Sequence, residues 1–91
     1  MRKIMAMQPS ENFLLQIKFD NNIQKVFDMK PYFDLPVFSV LKDPALFLNV
    51  ISKGYFIEWP SQEIDLSADT LWHEGKQSWD DVYLQEDGII A

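Results

Sequence analysis

Residues 13–27 have the sequence FLLQIKFDNNIQKVF, and this stretch decides the fold. From residue 13 to residue 19 every odd position is apolar, and Gln16 and Lys18 separate the last three of these positions. A period of two is typical of a strand with one buried face. The next three residues are Asp and two Asn, which tolerate the left-handed backbone that tight turns require. The stretch therefore predicts a β-hairpin.

Proline and capping signals divide the rest of the first half into short elements. Residues 4–8 alternate like a short strand. Three prolines between residues 31 and 44 exclude a long helix, so this apolar segment is predicted to pack on the sheet as a lid with one or two helical turns. Asp43 precedes a proline, a pattern that predicts the start of a short helix extending to about Asn49 or Ile51.

The second half continues with two predicted strands and a helix. Residues 55–59 are rich in aromatic and β-branched side chains, and residues 62–66 are expected to turn Ile64 and Leu66 inward. Ser67 is a good helix cap, so a helix is predicted to follow it and to stop at the next glycine.

These elements predict an α+β fold: a small, mostly antiparallel sheet with an N-terminal hairpin or meander and two or three short helices packed on it. A chain of 91 residues has room for one hydrophobic core. We expect one domain over residues 1–74 and an acidic C-terminal extension over residues 75–91.

The composition excludes several kinds of chemistry. There is no cysteine, one histidine, and three glycines that stand apart from one another. Thiol nucleophiles, two-histidine metal motifs and glycine-rich phosphate loops are therefore missing from the sequence. We predict no catalytic constellation, no metal site and no cofactor, and hence no enzyme.

The net charge of −6 is unevenly placed, with one lysine and eight acidic residues in residues 61–91. This distribution disfavours direct contact with nucleic acid and suits a basic partner, although a solvated acidic end is the simpler explanation. No apolar run has the length of a signal peptide core or a membrane span. We expect a cytoplasmic protein without a membrane contact.

An ordered set of short motifs resembles the bacterial domain-of-unknown-function family 2442. The pieces in this chain are Phe19-Asp20-Asn21-Asn22, Phe27-Asp28-Met29-Lys30-Pro31, Val37-Phe38-Ser39-Val40-Leu41-Lys42-Asp43, Phe47, Trp59-Pro60 and Asp65-Leu66-Ser67-Ala68-Asp69-Thr70-Leu71. Asn22 replaces the usual turn glycine, a change that its tolerance of positive φ permits. The resemblance implies a small antiparallel sheet with short helices. It also implies a link to small toxin-like proteins, since some relatives are classed as probable antitoxins.

Two sets of residues are candidates for function. Asp28, Asp65 and Asp69 belong to the family pattern, and with Trp59 they would form a small-molecule or ion site if they converged. The alternative is that these carboxylates cap helices and turns.

The second set lies in the acidic extension. The spacing of Trp79, Val82 and Tyr83 places them on one face of a predicted helical turn, where they would bind a protein partner. The alternative is that they pack back on the domain. We therefore expect a protein–protein interaction module of an antitoxin-like type, with the ligand site as the alternative. Self-association through a sheet edge is a third hypothesis.

Overall fold

The computed structural model describes residues 2–76 and confirms a small α+β fold. No helix in that range is long and apolar enough to cross a membrane. The strands are β1 (Ile4–Pro9), β2 (Leu14–Phe19), β3 (Gln24–Asp28), β4 (Ile51–Ser52), β5 (Phe56–Trp59) and β6 (Ile64–Ser67). The α-helices are α1 (Pro44–Phe47) and α2 (Ala68–Glu74), and 3-10 turns cover Lys30–Asp34, Ser39–Lys42 and Pro60–Gln62.

The predicted hairpin forms β2 and β3 of a three-stranded antiparallel sheet in the order β1-β2-β3. Leu15, Ile17 and Phe19 turn to the core and are at most 1% exposed. Asn22 closes the turn in the left-handed region, with a φ of 67°. Its backbone N–H donates to the carbonyl of Phe19 at 2.9 Å. Asn22 therefore adopts the positive φ that a glycine usually provides in this turn, as the sequence predicts.

The remaining strands form a second antiparallel sheet in the order β4-β5-β6, where the sequence predicts one sheet without assigning β4. The two sheets meet where the Ile4 N–H donates to the Gly54 carbonyl at 2.6 Å. The predicted extension of α1 to residue 49 or 51 is wrong, because the helix ends at Phe47. Ile51 instead pairs with Glu58 of β5, a long-range partner that the local sequence does not reveal.

The lid and the caps follow the sequence closely. Two 3-10 turns cover most of the lid, and they bury Phe33 and Leu41. The Asp43 carboxylate caps α1 by accepting from the backbone N–H of Ala45 at 3.0 Å. The Ser67 hydroxyl caps α2 by accepting from the N–H of Thr70 at 3.1 Å. The inner faces of both sheets, the lid and α2 contribute to one core cluster.

The chain leaves α2 through a tight turn onto the edge of β3. A Cβ atom at Gly75 would lie 2.8 Å from the Leu71 carbonyl oxygen and 3.2 Å from the Lys25 Cβ, so glycine is required by space. Lys76 then pairs with Val26 of β3 in antiparallel orientation. The rest of the predicted extension, residues 77–91, lies outside the described residues.

Candidate interaction surface

Two of the three candidate carboxylates accept hydrogen bonds from backbone N–H groups. Asp28 ends β3, and its Oδ1 accepts from the backbone N–H of Lys30 at 3.0 Å and lies 3.0 Å from the same residue's Nζ. Asp69 lies in the first turn of α2 and accepts from the backbone N–H of Arg2 at 2.9 Å. The Asp28 contact is the local kind that Asp forms at turns. The Asp69 contact is long-range and ties the N-terminal segment to the first turn of α2.

Trp59 lies in the core and is 0% exposed. Its indole N–H donates to the carbonyl of Phe47 at 2.8 Å, as expected for a tryptophan that closes a core. Among residues 2–76, no group of three His, Cys, Asp or Glu side chains is placed to hold a metal ion. Asp28 and Asp69 each bond backbone N–H groups, at Lys30 and at Arg2. Asp65 lies elsewhere, on an exposed position of β6.

Asp65 lies on the outer face of the second sheet. The alternation along β5 and β6 turns Ile57, Trp59, Ile64 and Leu66 to the core, and it turns the intervening residues outward. Ile51 of β4 lies on the same face, because it pairs with Glu58. We call the four residues Ile51, Phe56, Glu58 and Asp65 on this outward side the acidic face. Ile51 is 41% exposed and Phe56 is 38% exposed, so the face combines apolar side chains with carboxylates.

The two carboxylates of the acidic face are direct neighbours. Glu58 and Asp65 are partners in the β5–β6 register. Side chains at directly opposed positions have Cβ atoms about 4.5–5.5 Å apart, and like charges there destabilise a sheet. Lys53 Nζ lies 3.8 Å from the Glu58 carboxylate, whereas Asp65 has no salt bridge within the described part of the chain. The face thus retains an uncompensated negative charge.

A second surface feature is a cleft of about 470 Å³ between the C-terminal end of β3 and the lid. Its lining includes Phe27, Tyr32, Leu35 and Glu74. The Tyr32 hydroxyl donates to Glu74 Oε1 at 3.3 Å. Burial raises the pKa of Tyr32 above its usual value, and the negative charge and hydrogen bond of Glu74 raise it further.

We expect the Tyr32 phenol to titrate above its ordinary value of 10.0 and to lose part of that shift in Glu74→Gln. Because burial and then Glu74 raise the pKa in the folded state, folding favours the neutral phenol. This contribution to stability is fully present below pH 10.0 and is lost as the pH rises through the folded pKa. The near-ultraviolet absorbance of tyrosinate measures the titration, and Tyr32→Phe identifies the step. An identical titration of Tyr32 in Glu74→Gln contradicts the role of Glu74.

The sequence predicts Asp65 as a site residue but misses its neighbours on the acidic face. The sequence does contain one signal for the orientation of Asp65. Ile64 and Leu66 are predicted to face inward, and Asp65 lies between them in a strand, so it must face outward. What the sequence lacks is the register that sets Glu58 opposite Asp65. The predicted partner-binding residues Trp79, Val82 and Tyr83 lie outside the described residues, so their role stays a prediction.

Together, the fold and its surfaces define a small α+β domain built from two three-stranded antiparallel sheets, with an acidic face on the second sheet. A family model described as "Protein of unknown function (DUF2442)" matches residues 4–77. The chain therefore belongs to this family, as the ordered motifs indicate. Neither a curated protein nor a solved structure matches it.

Proposed function

We propose that this protein is a protein–protein interaction module that binds a basic partner through the acidic face. The observation that supports it is the direct pairing of Glu58 with Asp65 beside the exposed side chains of Ile51 and Phe56. A repulsive pair on a solvent-facing sheet costs stability. A function that requires the two charges together explains why both residues are present.

The chemistry of the acidic face specifies the partner. A lysine or arginine placed between the two carboxylates would pair with both and relieve their repulsion. Ile51 and Phe56 would supply the apolar contact area beside this ion pair, and aromatic residues are enriched in such contacts. The best match is a basic segment that also carries an apolar side chain. The net charge of −6 favours its approach over longer distances.

An antitoxin-like role is the particular form of this proposal, in which the partner is a small basic protein. The family resemblance motivates it, because some relatives are classed as probable antitoxins. The product of the neighbouring gene is then the first partner to test, by co-expression and co-purification with this chain.

The test uses charge reversal on the acidic face. We expect Glu58→Lys with Asp65→Lys to weaken binding of the co-purified partner at least about tenfold, since two favourable charge contacts become repulsive. Isothermal titration calorimetry measures the affinity. The matched control, Glu11→Lys with Asp34→Lys, changes the net charge equally at exposed positions elsewhere and should leave the affinity within about twofold.

A single neutral substitution separates binding from folding. Asp65→Asn removes the like-charge pair, so it should raise the free energy of unfolding by about 0.2–1 kcal/mol while it weakens binding. Equal loss of affinity in the two charge-reversed proteins, or failure of the neighbouring gene product to associate, argues against the proposal.

A further inference from the structure

The outer face of the first sheet contains two buried apolar side chains that lie outside the core. Leu14 is 6% exposed and Val26 is 1% exposed, yet neither belongs to the core cluster. The register places both on the face opposite to Leu15 and Phe27, which turn into the core. A valine on the outward side of a sheet stays partly exposed unless another group covers it, so this burial requires a cover.

The rest of this face is mostly polar. Its other outward side chains are Ala6, Gln8, Gln16, Lys18, Gln24 and Asp28, which lies opposite Leu14. All of these except Asp28 line a shallow groove of about 330 Å³. The groove spans residues of all three strands and includes Gln16. Gln16 is the register partner of Val26 and lies two positions from Leu14 on the same face, so an apolar segment in the groove would adjoin both buried residues.

The chain itself is directed toward this face. The Val26 N–H donates to the Lys76 carbonyl at 2.7 Å, and the Lys76 N–H donates to the Val26 carbonyl at 2.7 Å. This antiparallel pair occupies the outer edge of β3 and brings Lys76 beside Val26. Lys76 therefore satisfies backbone groups of Val26 that would otherwise be unpaired at the edge of β3.

We propose that the outer face of the first sheet is a docking site for the chain's own residues 78–85, whose apolar side chains cover Leu14 and Val26. An extended chain advances about 3.3 Å per residue, and neighbouring strands are about 4.8 Å apart. Residues three to seven positions beyond Lys76 therefore reach every strand of the sheet.

The composition of the segment fits this site. Trp79, Val82 and Tyr83 supply the apolar cover, and the acidic pair at 80 and 81 complements Lys18 on the open part of the face. In this arrangement Trp79, Val82 and Tyr83 pack on the chain's own sheet and are not available to a partner. The acidic face on the second sheet then remains the surface for a partner, so this inference stands independently of the proposed function.

Nuclear Overhauser contacts in the full chain test the docking directly. With isotope-labelled methyl groups, we expect contacts from Leu14 and Val26 methyls to the aromatic protons of Trp79 or Tyr83. Contacts to residues 2–76 alone overturn the proposal. A mixture of labelled and unlabelled chains distinguishes a second copy as the occupant, and contacts between copies also overturn the assignment to the chain's own segment.

Substitutions in the segment provide an independent measurement. The triple change Trp79→Ser, Val82→Ser and Tyr83→Ser removes the apolar cover and should lower the Tm of the full chain by about 5–10 °C. The control, Gln77→Ser with Gln85→Ser, changes polar residues at the two ends of the same stretch and should leave the Tm within about 2 °C. An equal Tm for the triple variant and the unchanged protein overturns the proposal.

Discussion

Trp59→Ala should remove about a third or more of the free energy of unfolding of this protein. Replacing a fully buried aromatic ring by alanine costs about 3–5 kcal/mol, and domains of this size have about 5–15 kcal/mol in total. Trp59 is 0% exposed and lies beside the ring of Phe47, with centroids 6.0 Å apart. The cavity would open between α1 and β5, where Trp59 contacts Phe47.

Two measurements separate the causes of this loss. We expect the Tm, followed by circular dichroism, to fall by about 15–30 °C in Trp59→Ala. Trp59→Phe keeps most of the ring but leaves the Phe47 carbonyl without its indole donor, so its cost should be about 1–3 kcal/mol. A Trp59→Phe protein as unstable as Trp59→Ala would show that ring volume is not the main contribution.

Phe19→Ala is the second substitution with a large expected effect, because it should weaken the packing of the first sheet against α2. Phe19 is 0% exposed at the end of β2, and its ring meets Trp72 of α2 edge-to-face with centroids 5.1 Å apart. Arg2 and Lys25 lie over the Trp72 ring, at 4.4 and 3.9 Å from its centroid. Without Phe19 this stack loses its support, so we expect a cost of about 3–5 kcal/mol in urea unfolding.

The chain offers a matched control for Phe19→Ala. Phe56 is a phenylalanine in a strand of the second sheet, but it faces solvent on the acidic face and is 38% exposed. Phe56→Ala should therefore change the free energy of unfolding by less than about 1 kcal/mol. Comparable losses in the two variants would contradict the assignment of Phe19 to the core and Phe56 to the surface.

Local signals in the sequence predict the first sheet and the caps well. The alternation of apolar residues selects one face of β2, and Asn22 supplies the positive φ of the turn. Asp43 and Ser67 cap their helices because a short polar side chain reaches the nearby backbone N–H groups. Each of these outcomes depends on residues within four positions of one another.

The second sheet depends on contacts that the local sequence does not contain. Ile51 continues a helical-looking run, but pairing with Glu58 places it in a strand. The same sheet register puts Glu58 beside Asp65 and so creates the acidic face. A pattern in one strand shows which way a side chain points, but not which side chain lies next to it.

The candidate ligand site shows the same distinction. The sequence selects Asp28, Asp65, Asp69 and Trp59 by their motifs, and tertiary packing then assigns them to different places. Asp28 bonds the backbone two residues away, and Asp69 bonds the distant backbone of Arg2. Trp59 closes the core, and Asp65 contributes to the acidic face.

By itself, therefore, the sequence determined the class of fold, the hairpin, the caps and the family, because backbone preference and hydrophobic period are local properties. Only the tertiary structure decided the division into two sheets, the pairing of Lys76 with β3 and the position of the acidic face. These features arise when residues far apart in the chain share hydrogen bonds and buried area, and the balance among such contacts is settled only when the whole core forms.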